Sequence, residues 1–375
     1  MTLSRILSIL IIVAIGPIEG FAAAVWLTGQ ELQAQLVADT ADGQLDEFDF
    51  LSAALVAGGI NNTDLLREYR RLLLDRCTVL LEQEGLSTNR AEVLFEFLHK
   101  QLLTGKYHVE YTAPSRVLDE GHYNCVSATI LYHWLCEQCG LDSTIVATRD
   151  HVLVRLPSAL VQDVETTCPE WFALPSRREV RLEAGRPISR IQLLGKVFYN
   201  RAVCELDEQN FSQAIHLLRI SLALDPEDGP ALENLLAAIN NWSLVAAESG
   251  NFELAGELLE EGRQINPAYA PLLVNDVHVH QQWAAELCRL GRYAQAINLL
   301  EAGYRRRDDT PLFDSGRLAI YRLWAEALFS EGRNSEARDV LEAARARHAG
   351  DCRWPSYEAA ALERAASVDL TKGQS

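Results

Sequence analysis

The sequence predicts an α+β domain in the first half of the chain and an all-α array of helical repeats in the second. Trp242, Trp283 and Trp324 recur every 41 residues, each thirteen residues ahead of an alanine, Ala255, Ala296 or Ala337. Upstream of them the apolar spacing changes from three- and four-residue steps to short β-branched runs between positions 143 and 167. The chain is 375 residues long and 48% hydrophobic, enough for more than one core. Stacked helix pairs offer surfaces to partners and rarely carry chemistry, so any catalysis belongs to the first half.

Residues 6–15 form an apolar run behind Arg5, followed by Gly16, Pro17 and the small residues Ala22, Ala23 and Ala24. Residues 1–24 therefore read as a secretory signal or, uncleaved and extended to Leu27, as an anchor that spans a bilayer. Both readings place the protein outside the cytoplasm, with membrane contact only through this segment if it is retained.

Residues 25–190 form the expected α+β domain. In 62–85, Leu65, Leu66, Tyr69, Leu72, Leu73, Cys77, Leu80 and Leu81 gather on one helix face. Asn89 and Glu92 have capping-box spacing for a further helix, closed by Gly105. Residues 107–123 read as a loop, punctuated by Thr112, Pro114, Ser115 and Gly121. It runs into an apolar helix over 125–139 that stops at Gly140. The runs 143–147, 151–156 and 161–167 read as a small antiparallel sheet. A linker follows Trp171, and its arginines, Arg177, Arg178, Arg181, Arg186 and Arg190, read as a solvated connector. The formal charge of −18 leaves no basic surplus for phosphates, so nucleic acid is not an expected partner.

Residues 191–365 carry the repeats. The turn segments 210–214, 251–255, 292–296 and 333–337 superimpose without a gap, three of them preceded by Gly250, Gly291 and Gly332. Pro226 and Pro267 follow their alanines by twelve residues. This layout resembles tetratricopeptide repeats, with a unit longer than the usual ~34 residues. The resemblance implies a surface for a protein or peptide partner. Arg201 stands where the other repeats carry tryptophan, and His278 and His280, two apart on a helix, point to different faces and make no metal pair.

Cys125 stands where loop becomes helix, where unpaired backbone N–H groups and the helix dipole favour a thiolate. His151 follows at the start of a strand, and Asp163 and Glu165 lie on the next one. Nucleophile, base and orienting acid thus come in a workable order. Asn124 is a candidate to help bind an oxyanion, and His122 reads as a pocket-lining or solvent residue. Cys136 and Cys139 form a CxxC, but at helical spacing inside an apolar run they read as packing.

The segments Gly121-His122-Tyr123-Asn124-Cys125, Asp150-His151-Val152-Leu153-Val154 and Val164-Glu165-Thr166-Thr167 resemble, in order and spacing, the transglutaminase-like branch of the papain-like superfamily. Repeats downstream of such a domain also resemble the bacterial SirB1-like proteins. The resemblance implies an α+β papain-like fold over residues 65–171 and thiol-dependent acyl transfer on a peptide or glutamine amide. Cys125 would attack, His151 would shuttle the proton, and Glu165 or Asp163 would hold the imidazole, with no metal or organic cofactor. A catalytically silent, repeat-based adaptor is the alternative.

Overall fold

The computed structural model describes residues 31–81, 90–157, 162–174, 185–305, 311–348, 350–351 and 353–372. The N-terminal apolar segment, Asn89, Arg177, Arg178 and Arg181 lie outside them. No helix among the described residues is long and apolar enough to cross a membrane. Packing divides the chain into two units, Met1–Leu235 and Leu236–Ser375.

The first unit is built around two helices. In α2 (Phe50–Ala57), which follows α1 (Glu31–Asp39), every residue is buried, as expected of a segment apolar on all sides. Its start is set by Asp49, whose carboxylate accepts from the Ser52 N–H at 2.8 Å. The helix expected over 62–85 forms as α3 (Thr63–Leu81), with Leu73 and Cys77 inward. After α4 (Arg90–Phe97) and α5 (Pro114–Glu120) comes α6 (Cys125–Gln138), buried from Val126 through Cys136. Burial pushes the Cys136 thiol up to about 12, the behaviour of a packed residue rather than a redox centre.

Four short strands lie beside α6: β1 (Thr144–Ala147), β2 (Val152–Leu156), β3 (Gln162–Val164) and β4 (Arg186–Ile188). They pair antiparallel in the order β3-β2-β1-β4, with Ile145 opposite both Val154 and Ile188. The fourth strand comes from the segment read above as a solvated linker. Arg186 anchors it by donating to both oxygens of Asp225, at 3.2 and 2.9 Å, and Asp225 is fully buried. Arg190 likewise is no free connector, pairing with Glu137 at 3.0 Å.

The expected α+β papain-like architecture does not form. Fifteen α-helices, three short 3₁₀ or π segments and four strands of three to five residues make up the regular structure of the described residues, so the protein is mostly all-α. The β-branched runs between 143 and 167 do form strands, but short ones. Strands of that length cannot cover a core, and the interior is filled instead by helix-on-helix contacts.

The first hairpin of the repeat region, α7 (Arg190–Asp207) and α8 (Phe211–Leu224), belongs to this unit: α7 packs on α2 and α6, and α8 on α1. This accounts for Arg201. Its guanidinium donates from Nη1 to the Ala57 carbonyl at 2.5 Å, terminating α2, where a tryptophan would leave that carbonyl without this donor.

The helix α9 (Gly229–Glu248) runs across the division between the units. The second unit continues through α10 (Phe252–Ile265), α11 (Ala270–Arg289), α12 (Tyr293–Arg305), α13 (Pro311–Ser330), α14 (Asn334–Arg347) and α15 (Trp354–Lys372). Trp283 stacks on Phe252 with rings 6.2 Å apart and 8° from parallel, and Trp324 stacks on Tyr293 at 6.1 Å and 11°. Such aromatic pairs add about 0.5–1.5 kcal/mol each beyond burial. Ala255, Ala296 and Ala337 have no exposure, as needed where helices cross closely. Gly250, Gly291 and Gly332 turn with φ of +78°, +74° and +80°, the left-handed conformation glycine adopts without a Cβ clash. In the first hairpin the same role falls to Gln209, at φ +60°.

Candidate functional site

Cys125 is the first residue of α6. The preceding Asn124 is extended, and its Oδ1 accepts from the N–H groups of Val126 and Ser127 at 2.9 and 3.0 Å. Ser127 Oγ accepts from the Asn124 N–H at 3.0 Å, closing a capping box. The cap takes the second and third amides of the helix. The first, on Cys125 itself, donates to no acceptor among the described residues. The partly buried sulfur therefore sits beside a free N–H at the positive end of a fourteen-residue helix.

The loop before α6 is tied to this cap. Asn124 Nδ2 donates to the Val109 carbonyl and Ser127 Oγ to the Tyr111 carbonyl, both at 2.8 Å. Nearer α5, Gly121 is left-handed at φ +75°, and a Cβ there would lie 2.9 Å from the Gly105 nitrogen, so only glycine lets the two strands of the loop meet. Tyr107 then pairs with Tyr123 in an isolated parallel bridge, flanked by the His108 N–H to Tyr123 carbonyl bond at 2.9 Å.

His151 enters from the tight turn between β1 and β2, where its carbonyl accepts from the Thr148 N–H at 2.8 Å. Its Nε2 meets Glu165 Oε2 at 2.6 Å, which leaves Nδ1 for the thiol. The other oxygen of Glu165 accepts from the Thr167 N–H at 3.0 Å and the Thr167 hydroxyl at 2.6 Å. Bonding with Cys125 first and Glu165 second raises the His151 pKa to about 10 against the opposing effect of burial. Burial resists ionisation of Glu165, but its bonds from His151 and Thr167 outweigh that and hold it below the ordinary range. Beside the thiol, this arrangement favours a protonated, positively charged imidazole.

One residue joins the three elements. Thr129, a turn into α6 and without exposure, places its hydroxyl 3.3 Å from the Val152 carbonyl and 3.0 Å from the hydroxyl of Thr166. Val152 follows His151 and Thr166 follows Glu165. The buried threonine pair thus sets cysteine, histidine and glutamate in register.

Of the residues singled out from sequence, Cys125, His151 and Glu165 come together. Asp163 does not join them: its carboxylate takes both Nε and Nη2 of Arg155, at 2.6 and 2.9 Å across the β2–β3 ladder. The two acids do not share the strand expected for both, because β3 ends at Val164, before Glu165. Asn124 is committed to the cap and is not free for an oxyanion, a role its spacing to Ser127 signals. His122 Nδ1 accepts from the Lys106 N–H at 2.8 Å. In the repeats His280 pairs with buried Asp276 and His278 with Gln282. No group of three metal-ligating side chains occurs among the described residues. Thr129, Thr167 and Tyr107 were not recognised from sequence, and only the quartet ending at Thr167 pointed near any of them.

No protein-family model matches the chain, and no curated protein does. Among solved structures it aligns with menin, in the crystal structure that reveals the binding site for Mixed Lineage Leukemia protein. The identity is 12% and the TM-score 0.36, with 89% of this chain and 82% of that one covered. A likeness of that size carries no argument about either fold or function.

Proposed function

We propose that the first unit performs thiol-dependent acyl transfer on a peptide or glutamine amide. The observation that carries this is the His151–Glu165 contact at 2.6 Å with the imidazole held against Cys125. Cys125 as thiolate adds to the carbonyl carbon, and the carbonyl electron pair moves to oxygen, where the free Cys125 N–H receives it. Collapse expels the amine, which takes its proton from the His151 imidazolium, leaving a thioester on Cys125. Water or a second amine then resolves it, with neutral His151 as base and Glu165 keeping the Nε2–H tautomer. Such a constellation is defined by geometry and roles, so it does not depend on the α+β fold that the sequence led one to expect.

The helical hairpins of the second unit are proposed as the docking surface for a protein or peptide partner. Leu273 and Val274, side by side on α11 and 40% and 68% exposed, support this reading.

The test is an acyl-enzyme. With p-nitrophenyl acetate the wild-type chain should release a burst of p-nitrophenolate and carry acetyl on Cys125 by mass spectrometry, and Cys125→Ser and His151→Ala should not. Acetyl distributed over other cysteines, with no burst, would refute the assignment.

A further inference from the structure

We propose that the first unit holds a second binding site, for a small apolar monocarboxylate, in a cavity of about 700 Å³ at the end of α6 remote from Cys125. Small-molecule sites have volumes of roughly 300–1,000 Å³. Glu137, which lines the cavity, and Cys125, which opens the helix, lie about 18 Å apart along the α6 axis. The site is therefore separate from the thiol, and the proposal does not rest on the acyl-transfer reading.

The loop before α2, the starts of α2 and α7, one face of α3 and the end of α6 converge on the cavity. Leu45, Phe48 and Leu74 form the apolar part of its wall, with the buried Trp134 behind them. The charged part consists of two ion pairs, Arg70 with Asp49 at 2.5 Å and Arg190 with Glu137 at 3.0 Å.

Those four charges cancel, but donors and acceptors do not. Asp49 uses both oxygens, since Oδ1 also accepts from the Ser52 N–H. A guanidinium carries five N–H donors in a planar fork that matches a carboxylate. Arg70 spends Nη2 on Asp49, and its Nε has no acceptor among the described residues. Arg190 spends Nη1 on Glu137. The two arginine side chains stay 42% and 52% exposed, so a ligand can reach the edges of both forks.

Helices α2 and α7 also begin at this wall, and their first amides have no acceptor within their own helices. Each contributes about half a positive charge. The surplus is thus close to one positive charge, which suits a monoanion. The second charge of a phosphate monoester would instead meet Asp49 and Glu137, and a neutral ligand would leave the spare donors unmet. Leu45, Phe48 and Leu74 receive the apolar body of the acid.

The experiment titrates the full chain calorimetrically with three probes that share one ring system: 1-naphthaleneacetate, the neutral 1-naphthaleneethanol and the dianionic 1-naphthyl phosphate. The expected result is one acetate probe per chain, bound at least about tenfold more tightly than the other two, the worth of one charge-assisted hydrogen bond. Arg70→Gln and Arg190→Gln should each weaken the acetate about tenfold and leave the alcohol unchanged. Gln138→Trp, which fills the cavity from an exposed position, should abolish binding of all three. Cys125→Ala should bind the acetate as wild type does. Thermal melts check folding, and Arg190→Lys, which keeps the charge but not the fork, supplies an intermediate affinity if a glutamine variant melts early. An acetate probe that binds no more tightly than the alcohol or the phosphate would overturn the proposal. Wild-type affinity in both arginine variants would do so too, as would loss of binding in Cys125→Ala, which would put the ligand at the thiol.

Discussion

Replacing Glu165 with glutamine should disable the thiol by reversing the imidazole tautomer. In the wild-type site Glu165 Oε1 is gripped by the Thr167 N–H and hydroxyl, and Oε2 accepts from His151 Nε2. A glutamine would turn its single carbonyl oxygen to the Thr167 N–H, a donor that cannot change sense. Its amide NH2 would then face His151 Nε2, forcing that nitrogen to accept and moving the ring proton to Nδ1, against Cys125. The base would be blocked as well as uncompensated. The rise of His151 from 6.5 to about 10 corresponds to about 5 kcal/mol net, with Cys125 and Glu165 both raising it against the opposing effect of burial. Losing the Glu165 part of that rise lowers the population of the imidazolium-bearing pair. The tautomer error adds to this, up to the ~10⁴ that the equivalent amide substitution costs in a serine triad. The assay is the p-nitrophenyl acetate burst rate across pH 5 to 9. Asp163→Asn, which breaks only the Arg155 pair, should keep the wild-type rate and lose about 1 kcal/mol of stability or less. A Glu165→Gln burst within threefold of wild type would refute the reasoning, and so would a larger loss in Asp163→Asn.

Thr129→Val should lower the burst rate about tenfold and stability by about 1–3 kcal/mol, because it removes the hydroxyl that faces Val152 and Thr166. Thr129→Ser should recover most of both in urea melts and burst assays, and no recovery would count against the register argument. Gln209→Gly should raise the urea midpoint, stabilising the first hairpin by about 1 kcal/mol, since Gln209 occupies a left-handed turn that glycine adopts without strain. A loss of stability there would contradict the assigned φ. Stability should peak near pH 6.5. Burial holds His99 and His133 near 4 in the folded chain, so the unfolded chain binds more protons below 6.5, and stability falls as pH drops from 6.5 towards 4. The raised His151 acts in the opposite sense: its contribution is complete below 6.5 and is lost as pH rises towards about 10. A urea midpoint that rises steadily from pH 6.5 to 9 would contradict this account.

What the sequence determined by itself was local. The 41-residue period, the buried alanines of the turns and the left-handed glycines follow from contacts within one or two helical turns, where residue type and spacing dictate geometry. The placement of Cys125 at a helix start is of the same kind. Choosing Glu165 over Asp163 was not, because that choice depends on where β3 ends and on Arg155 lying opposite Asp163 in the ladder. The strand Arg186–Ile188 was hidden because its anchor, Asp225, lies 39 residues away. Arg201 stands in place of the repeat tryptophan because its partner, the Ala57 carbonyl, comes from 144 residues away in the chain. The fold class itself turned on the same limit: periodicity revealed that short strands exist, but only the packed molecule shows helices filling the interior around them. Buried polar groups take whichever partner the tertiary arrangement brings within about 3 Å, and no local pattern encodes that partner.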